Sequence, residues 1–182
     1  MSFTNEWHCR NEAVWQKIVA PRLPGSRVRW LEIGSHEGRS AAWALDNLLG
    51  DGDEIVCVDY WPNPEIEARF DANLAGRATK FRVQAWDYLV QALAAGERFS
   101  VVYIDSDHDG KAVLEQSVAA WRLLEIGGLL ILDDYRWHHP DDHVGSLDPA
   151  AGVEAFLLSY AMELVLLHKG AQVIVEKRPH VY

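Results

Sequence analysis

Apolar and polar residues change their spacing repeatedly along this chain, and each change marks a boundary between a strand and a helix. Val28, Trp30, Leu31 and Ile33 give a buried strand, and the run Ala41-Ala42-Trp43-Ala44-Leu45 opens a helix after a turn bracketed by Gly34 and Gly38. A second strand is predicted over 54–58, then a helix over 64–74 with Ile66, Phe70 and Leu74 on one face, and a short strand over 80–83. The next helix carries Leu89, Val90, Leu93 and Ala94, and the strand 100–104 follows. Val113, Leu114, Val118, Trp121 and Leu124 predict a further helix, broken at Gly127-Gly128 before the strand 129–132. A helix over 151–160 and a hairpin of 162–167 with 171–175, joined by His168-Lys169-Gly170, close the pattern. Ahead of it all, Val14, Trp15, Ile18 and Val19 predict a helical segment over 11–19 that stops near Pro21 and Pro24.

Alternation of this kind predicts an α/β fold: a doubly wound, mostly parallel sheet ending in an antiparallel hairpin. The nearly continuous apolar character of 100–104 fits a central strand covered on both faces. One domain spans 1–182, with an N-terminal helical segment in 1–25 and a core over 28–177. Open sheets of this type bind ligands at the carboxyl ends of their strands, so the residues there are the candidates for chemistry.

The first strand ends in Glu32-Ile33-Gly34-Ser35-His36-Glu37-Gly38, an E-x-G-x-x-x-G loop rather than the G-x-G-x-x-G of a dinucleotide site. An acid before the first glycine would repel a pyrophosphate, which disfavours a nicotinamide-dependent oxidoreductase. The second strand ends at Asp59, about 20 residues past the loop, where a carboxylate can accept both hydroxyls of a ribose; a turn-forming Asp is the alternative. The third leads into Ala85-Trp86-Asp87. The fourth ends in Asp105-Ser106-Asp107-His108 and the fifth in Asp133-Asp134-Tyr135. Asp105, Asp133 and Asp134 would suit a hard cation such as magnesium if they converged, but Asp at strand ends also caps turns, and neighbouring residues of a strand leave it in opposite directions. The polar run Trp137-His138-His139-Pro140 then opens a segment placed to cover a bound substrate, with a solvated loop or a transition-metal site as alternatives.

Composition narrows the choice. The chain has 182 residues, a net charge of -10 and no basic run, which argues against a grip on nucleic-acid phosphates. Cys9 and Cys57 form no disulfide framework or zinc pattern, and the polar N-terminus and lack of a long apolar run predict a cytoplasmic protein without membrane contact.

Taken together, LEIGSHEGRS, VDYW, YIDSDH and LLEIGGLLILDDY, followed by a helix and hairpin, resemble the class I S-adenosylmethionine (SAM) methyltransferases, and within them the small bacterial O-methyltransferases of methyltransferase family 24. That resemblance implies a Rossmann-like seven-stranded sheet and methylation of a hydroxyl on a small molecule, such as a catechol-like compound, polyol or sugar. It implies that Glu32, Gly34, Ser35, His36 and Gly38 hold the methionine end of SAM, that Asp59 holds the ribose, and that Ala85, Trp86 and Asp87 surround the adenine. Asp105, Asp133 and Asp134 match magnesium-binding positions, Asp105 also facing the cofactor, and His108 or His139 would act with Asp105 in catalysis. The alternative is a SAM- or nucleoside-binding module without turnover. Oligomeric state, including a homodimer, stays open.

Overall fold

Every strand of the predicted alternation forms in the computed structural model, which describes residues 1–138 and 147–180. Seven strands, β1 (Arg29–Ile33), β2 (Glu54–Asp59), β3 (Thr79–Arg82), β4 (Phe99–Ile104), β5 (Leu124–Leu132), β6 (Leu164–Lys169) and β7 (Val173–Lys177), make one sheet in the order β3-β2-β1-β4-β5-β7-β6. The first five run parallel, and β7 lies antiparallel between β5 and β6. The order reverses between β1 and β4, so a crevice opens above the carboxyl ends of those two strands.

Period-two alternation sends successive side chains to opposite faces, and each face carries its own core. Leu31, Ile33, Val56, Val58, Val102, Ile104, Leu130 and Leu132 pack under α4 (Ala85–Ala95), α5 (Gly110–Leu123) and α6 (Pro149–Ser159). Trp30, Ile55, Cys57, Val101, Tyr103, Leu129 and Ile131 pack under α2 (Arg39–Asn47), α3 (Pro64–Leu74) and the N-terminal segment. That segment is helical as predicted but irregular: a 3-10 turn (Trp7–Asn11), one α-helical turn α1 (Glu12–Val14), a π-helical turn (Trp15–Val19) and a second 3-10 turn (Ala20–Arg22). Its anchor is Trp15, wholly buried against Trp30 and Tyr103. On the other face α5 and α6 touch backbone to backbone, since a Cβ at Gly152 would overlap the Gly110 carbonyl oxygen.

One predicted boundary is corrected. Gly127-Gly128 does not break the helix; α5 has already ended at Leu123, and the glycines lie inside β5. Phe99 pairs with Leu124 and Val101 with Leu129, so residues 125–128 bulge opposite Ser100. Gly127 takes φ +83 there, and Gly128 sits where a Cβ would come within 2.9 Å of the Ser100 carbonyl oxygen. The hairpin turn also sits later than predicted, because β6 continues through His168 to Lys169. Among the described residues no helix is long and apolar enough to cross a membrane.

Candidate active site

At the topological switch point lies a cavity of about 870 Å³. The strand ends supply Gly34 (after β1), Asp59 (β2), Gln84 and Ala85 (beyond β3), Asp105 to His108 (β4), and Asp133 and Asp134 (β5). Trp7, His8 and Arg10 of the N-terminal segment form another wall, and Tyr60, Trp61, Pro62 and Ile66 a further one; Trp137 lies on the side of His108.

The glycine loop is held from below. The Asp59 carboxylate accepts the His36 backbone N–H through Oδ2 (2.9 Å) and the Trp61 backbone N–H through Oδ1 (2.9 Å), while the Trp61 indole N–H donates to the His36 carbonyl (2.7 Å). Asp59 therefore shapes the turn, and its carboxylate also faces the cavity with a second lone pair on each oxygen. Glu37, buried in the loop, accepts the Thr4 backbone N–H (2.7 Å), the Thr4 hydroxyl (2.7 Å) and Arg69 (2.8 Å). Burial alone would raise its carboxyl, but the Thr4 backbone, Arg69 and the Thr4 hydroxyl hold it at about 2. That bond set straps the first residues of the chain across the loop.

Four residues assigned to the cofactor do not face the cavity. Glu32 shares the pleat of Trp30 and so points into the face under α2, beside Cys57 and Tyr103, with 0% exposure. Gly38 caps α2 at φ +76, and its bare Cα lets Leu74 and Phe70 of α3 close on it. Trp86, 49% exposed, and Asp87 lie on the outer side of the first turn of α4, and neither is part of the cavity wall. Gly34, His36, Asp59, Ala85 and Asp105 do face it, and Ser35 lines a small annex behind Gly34.

Burial pushes the Glu32 carboxyl up to about 8, against the pull of the nearby Ser40 and Ser35 hydroxyls, neither of which reaches hydrogen-bonding geometry; the charge of Asp59 raises it further. A folded value above the ordinary 4.5 means that folding takes up a proton, so stability falls as pH rises from about 4.5 to about 8 and levels beyond. Glu32→Gln is expected to remove ~3 kcal/mol of the stability difference between pH 4.5 and 7. Urea midpoints at several pH values check this: the slope left in the variant belongs to groups such as Asp105 and Asp133, and an unchanged slope would contradict the assignment.

Asp105 and Asp133 share one neighbour. The Tyr103 hydroxyl lies 2.8 Å from Asp105 Oδ2 and 2.5 Å from Asp133 Oδ2, yet it carries a single proton, so both contacts are hydrogen bonds only if one carboxyl is protonated. Burial raises both acids, and the charges of Asp133 and then Asp134 push Asp105 up further. Asp133 Oδ2 also accepts the Gln172 amide (2.8 Å) and lies 3.4 Å from the Asn11 amide, and Oδ1 takes the Asp134 backbone N–H (2.8 Å). Gln172 in turn accepts the Trp15 indole N–H (2.8 Å). Asp134 bends away at φ +54, pairs with His108 Nε2 at 2.8 Å and lies 3.6 Å from Arg10. The bend brings both carboxylates to the cavity. Among the described residues, however, no three His, Cys, Asp or Glu side chains are gathered as cation ligands. Asp133 and Asp134 are committed to protein donors, so this arrangement does not fit the expected magnesium set.

His108 stands at the cavity wall, its ring 4.6 Å from Trp137. The hydrogen bond to Asp134 raises its pKa above the ordinary 6.5, burial opposes this, and the charges of Asp134, Asp107 and Asp133 add to the rise. Because Nε2 is the atom facing Asp134, the neutral ring carries its proton there and presents Nδ1 as acceptor. His139 lies outside the described residues. Trp7, His8, Arg10, Tyr60 and Gln172 were not singled out in the sequence; only the polar run Trp7-His8-Cys9-Arg10-Asn11 ahead of an apolar helix hinted at the first three.

A family model described as a methyltransferase domain matches residues 31–135. No curated protein sequence matches the chain. Among solved structures, the O-methyltransferase TomG from Streptomyces achromogenes, determined with SAM, is 18% identical with a TM-score of 0.69, over 93% of this chain and 80% of that one. An O-methyltransferase from Bacillus cereus, determined with S-adenosylhomocysteine (SAH), is 19% identical with a TM-score of 0.63, over 96% and 93%. MycE of the mycinamycin biosynthetic pathway, determined with magnesium and SAH, is 16% identical with a TM-score of 0.65, over 92% of this chain and 49% of that one. At these identities the likeness establishes the fold.

Proposed function

The chain belongs to the methyltransferase-domain family, methyltransferase family 24, and from that premise we propose that it transfers a methyl group from SAM to a hydroxyl of a small molecule. The observation that carries this reading is that the glycine loop, Asp59 and the His108–Asp134 pair open onto one cavity. Its ~870 Å³ falls in the range of about 300–1,000 Å³ usual for small-molecule sites. Even with one of Asp105 and Asp133 protonated, acids outnumber cations on its walls, Asp59, Asp107 and Asp134 standing with them against Arg10, which suits a sulfonium donor and disfavours a polyphosphate.

SAM fits the residues present, since buried polar atoms of His8, Ser35 and Arg39 beside the glycine loop have no protein partner. When bound, SAM supplies a methyl carbon made electrophilic by its sulfonium. Asp59 would accept the ribose hydroxyls, and Tyr60, Pro62, Ile66 and Ala85 would enclose the adenine, with the Gln84 amide near its edge. Trp7 and Trp137 would shield the acceptor from water and align its oxygen for in-line attack, a constraint that alone can lower a barrier substantially. His108 Nδ1 would take the acceptor's proton, and Asp134 would hold the ring and stabilise the imidazolium that results.

Calorimetric titration with SAH, followed by a screen of hydroxylated aromatics, polyols and sugars with labelled SAM, tests the reading. Micromolar SAH binding and a methylated product are expected. SAH at 100 times its dissociation constant should add about 2.7 kcal/mol of stability. Stabilisation by a nicotinamide dinucleotide and not by SAH would overturn the proposal, and SAH binding without product from any acceptor would favour a binding module.

A further inference from the structure

The loop from Asp105 to Asp109 carries His108 and is pinned at both ends. The Asp105 N–H donates to the Ile33 carbonyl (2.8 Å), and the Asp109 carboxylate caps α5 by accepting the Lys111 and Ala112 backbone N–H groups (3.0 and 3.1 Å). A side chain from α5 holds the middle. Gln116, 4% exposed on the second turn of that helix, accepts the Ser106 hydroxyl at Oε1 (2.7 Å) and donates from Nε2 to Asp107 Oδ2 (2.7 Å). A carboxylate only accepts, so the amide has one orientation here: its nitrogen faces Asp107, and its oxygen is left for Ser106. Ser106, Asp107 and His108 all line the cavity, whereas Gln116 lies behind them and is not part of its wall.

Two consecutive side chains tied to one buried amide fix the peptide between them, and with it the direction in which the next residue leaves the chain. That residue is His108. Its ring is 40% exposed and reaches Asp134 with Nε2 at 2.8 Å, beside Trp137, so a turn of the backbone behind it would carry the ring off Asp134 and toward solvent. We propose that Gln116 is a positioning residue for methyl transfer: by clamping Ser106 and Asp107 it fixes the backbone from which His108 projects, and so keeps the base in line with the acceptor hydroxyl. This role rests on the reading of His108 as the base and adds to it a residue that meets no ligand. A misplacement of about 1 Å at a reacting group can cost about 10²-fold in rate.

Exchanging donor and acceptor tests the clamp. Gln116→Glu keeps the side-chain shape and the acceptor for Ser106 but sets a carboxylate against Asp107. Adding Asp107→Asn returns a donor from the opposite side, at the net charge of the wild type. With the acceptor found in the screen above, Gln116→Glu should lower kcat by about tenfold to 10²-fold, with KM and calorimetric SAH affinity within about threefold. The double variant should recover most of the loss, and on a His108→Ala background Gln116→Glu should lower kcat no further. A second readout needs no acceptor. In spectra of labelled imidazole nitrogens, on the alkaline side of the ring's titration, His108 should show one tautomer protonated at Nε2 in the wild type and the double variant, and an average of two in Gln116→Glu. Ser106→Ala cuts one of the two bonds from the other end and should show a smaller change of the same pattern, which tests the clamp should Gln116→Glu fold poorly. A wild-type kcat and ring spectrum in either variant overturns the proposal. So does a loss that Asp107→Asn fails to repair, a loss repeated in full without His108, or a fall in SAH affinity that matches the fall in kcat, each of which would make Gln116 a packing residue. His108→Ala alone reads the underlying role: if its kcat equals that of the wild type, the base reading fails and the proposal with it.

Discussion

Replacing Gly34 with valine is expected to leave a poorly folding protein with no measurable SAH binding. Gly34 ends β1 at φ +89, a conformation L side chains rarely adopt. It donates its N–H to the Val58 carbonyl (2.8 Å), while the residue before it, Ile33, accepts the Asp105 N–H (2.8 Å), so both neighbouring strands are fastened at this point. A Cβ would overlap the Asp105 carbonyl oxygen and come within 2.7 Å of Ser106 Cα. Both obstacles are backbone and have no rotamer to escape into. Overpacking and left-handed strain together cost about 3 kcal/mol or more, a large part of the ~5–15 kcal/mol that holds a domain together. Gly34→Ala should fall in the same direction with a smaller drop in urea midpoint. A valine variant with the wild-type midpoint and SAH affinity would show that β1 and β4 can separate here, contrary to the packing described.

The second large effect concerns His108. His108→Ala is expected to lower kcat by about 10²- to 10⁴-fold, the usual contribution of a positioned acid or base. SAH affinity should stay within about twofold, because Asp59 and the glycine loop hold the donor elsewhere in the cavity. The pH profile adds a sign. A base acts when deprotonated, and the Asp134 hydrogen bond raises the His108 pKa, so the acid limb of kcat should lie above pH 6.5. Asp134→Asn removes the largest cause of that rise while keeping a residue that tolerates φ +54, so it should move the limb downward and lower the plateau. A limb that stays in place in this variant would leave His108 without its role.

Much of this site was legible because its residues terminate strands. Asp59, Asp105, Asp133 and Asp134 each follow an apolar run, and in a parallel sheet such positions share one edge whatever the loops do. The period-two pleat could also have placed Glu32: it shares parity with Trp30, a residue bound for the core, so it turns under the helices instead of toward the ligand. Trp86 and Asp87 were harder, because proximity in sequence to Ala85 says nothing about the side of a helix that faces a crevice. His8 was out of reach. Its place in the cavity wall depends on a strap laid across the glycine loop by Thr4 and Glu37, residues 33 apart in sequence. Nor could spacing show that the carboxylates expected to gather around a cation are taken up by Tyr103, Gln172 and His108, since Tyr103 and His108 come from β4 and the loop after it and Gln172 from the turn before β7, all far in sequence from Asp133 and Asp134.

The line Trp15–Gln172–Asp133 carries a consequence for synthesis on the ribosome. It joins residues 157 and 39 positions apart, and Gln172 lies in the turn that leads into the last strand. Contacts of such separation form late, because the loop between them must close first. The nascent chain therefore completes β1 through β5 with the N-terminal wall of the cavity still unlatched, and the wall locks only after the final hairpin has cleared the exit tunnel. A methyl donor would thus find the latched pocket only once Gln172 has emerged and the hairpin that follows has formed, and a ribosome stalled before residue 172 would display the first five strands without the latch.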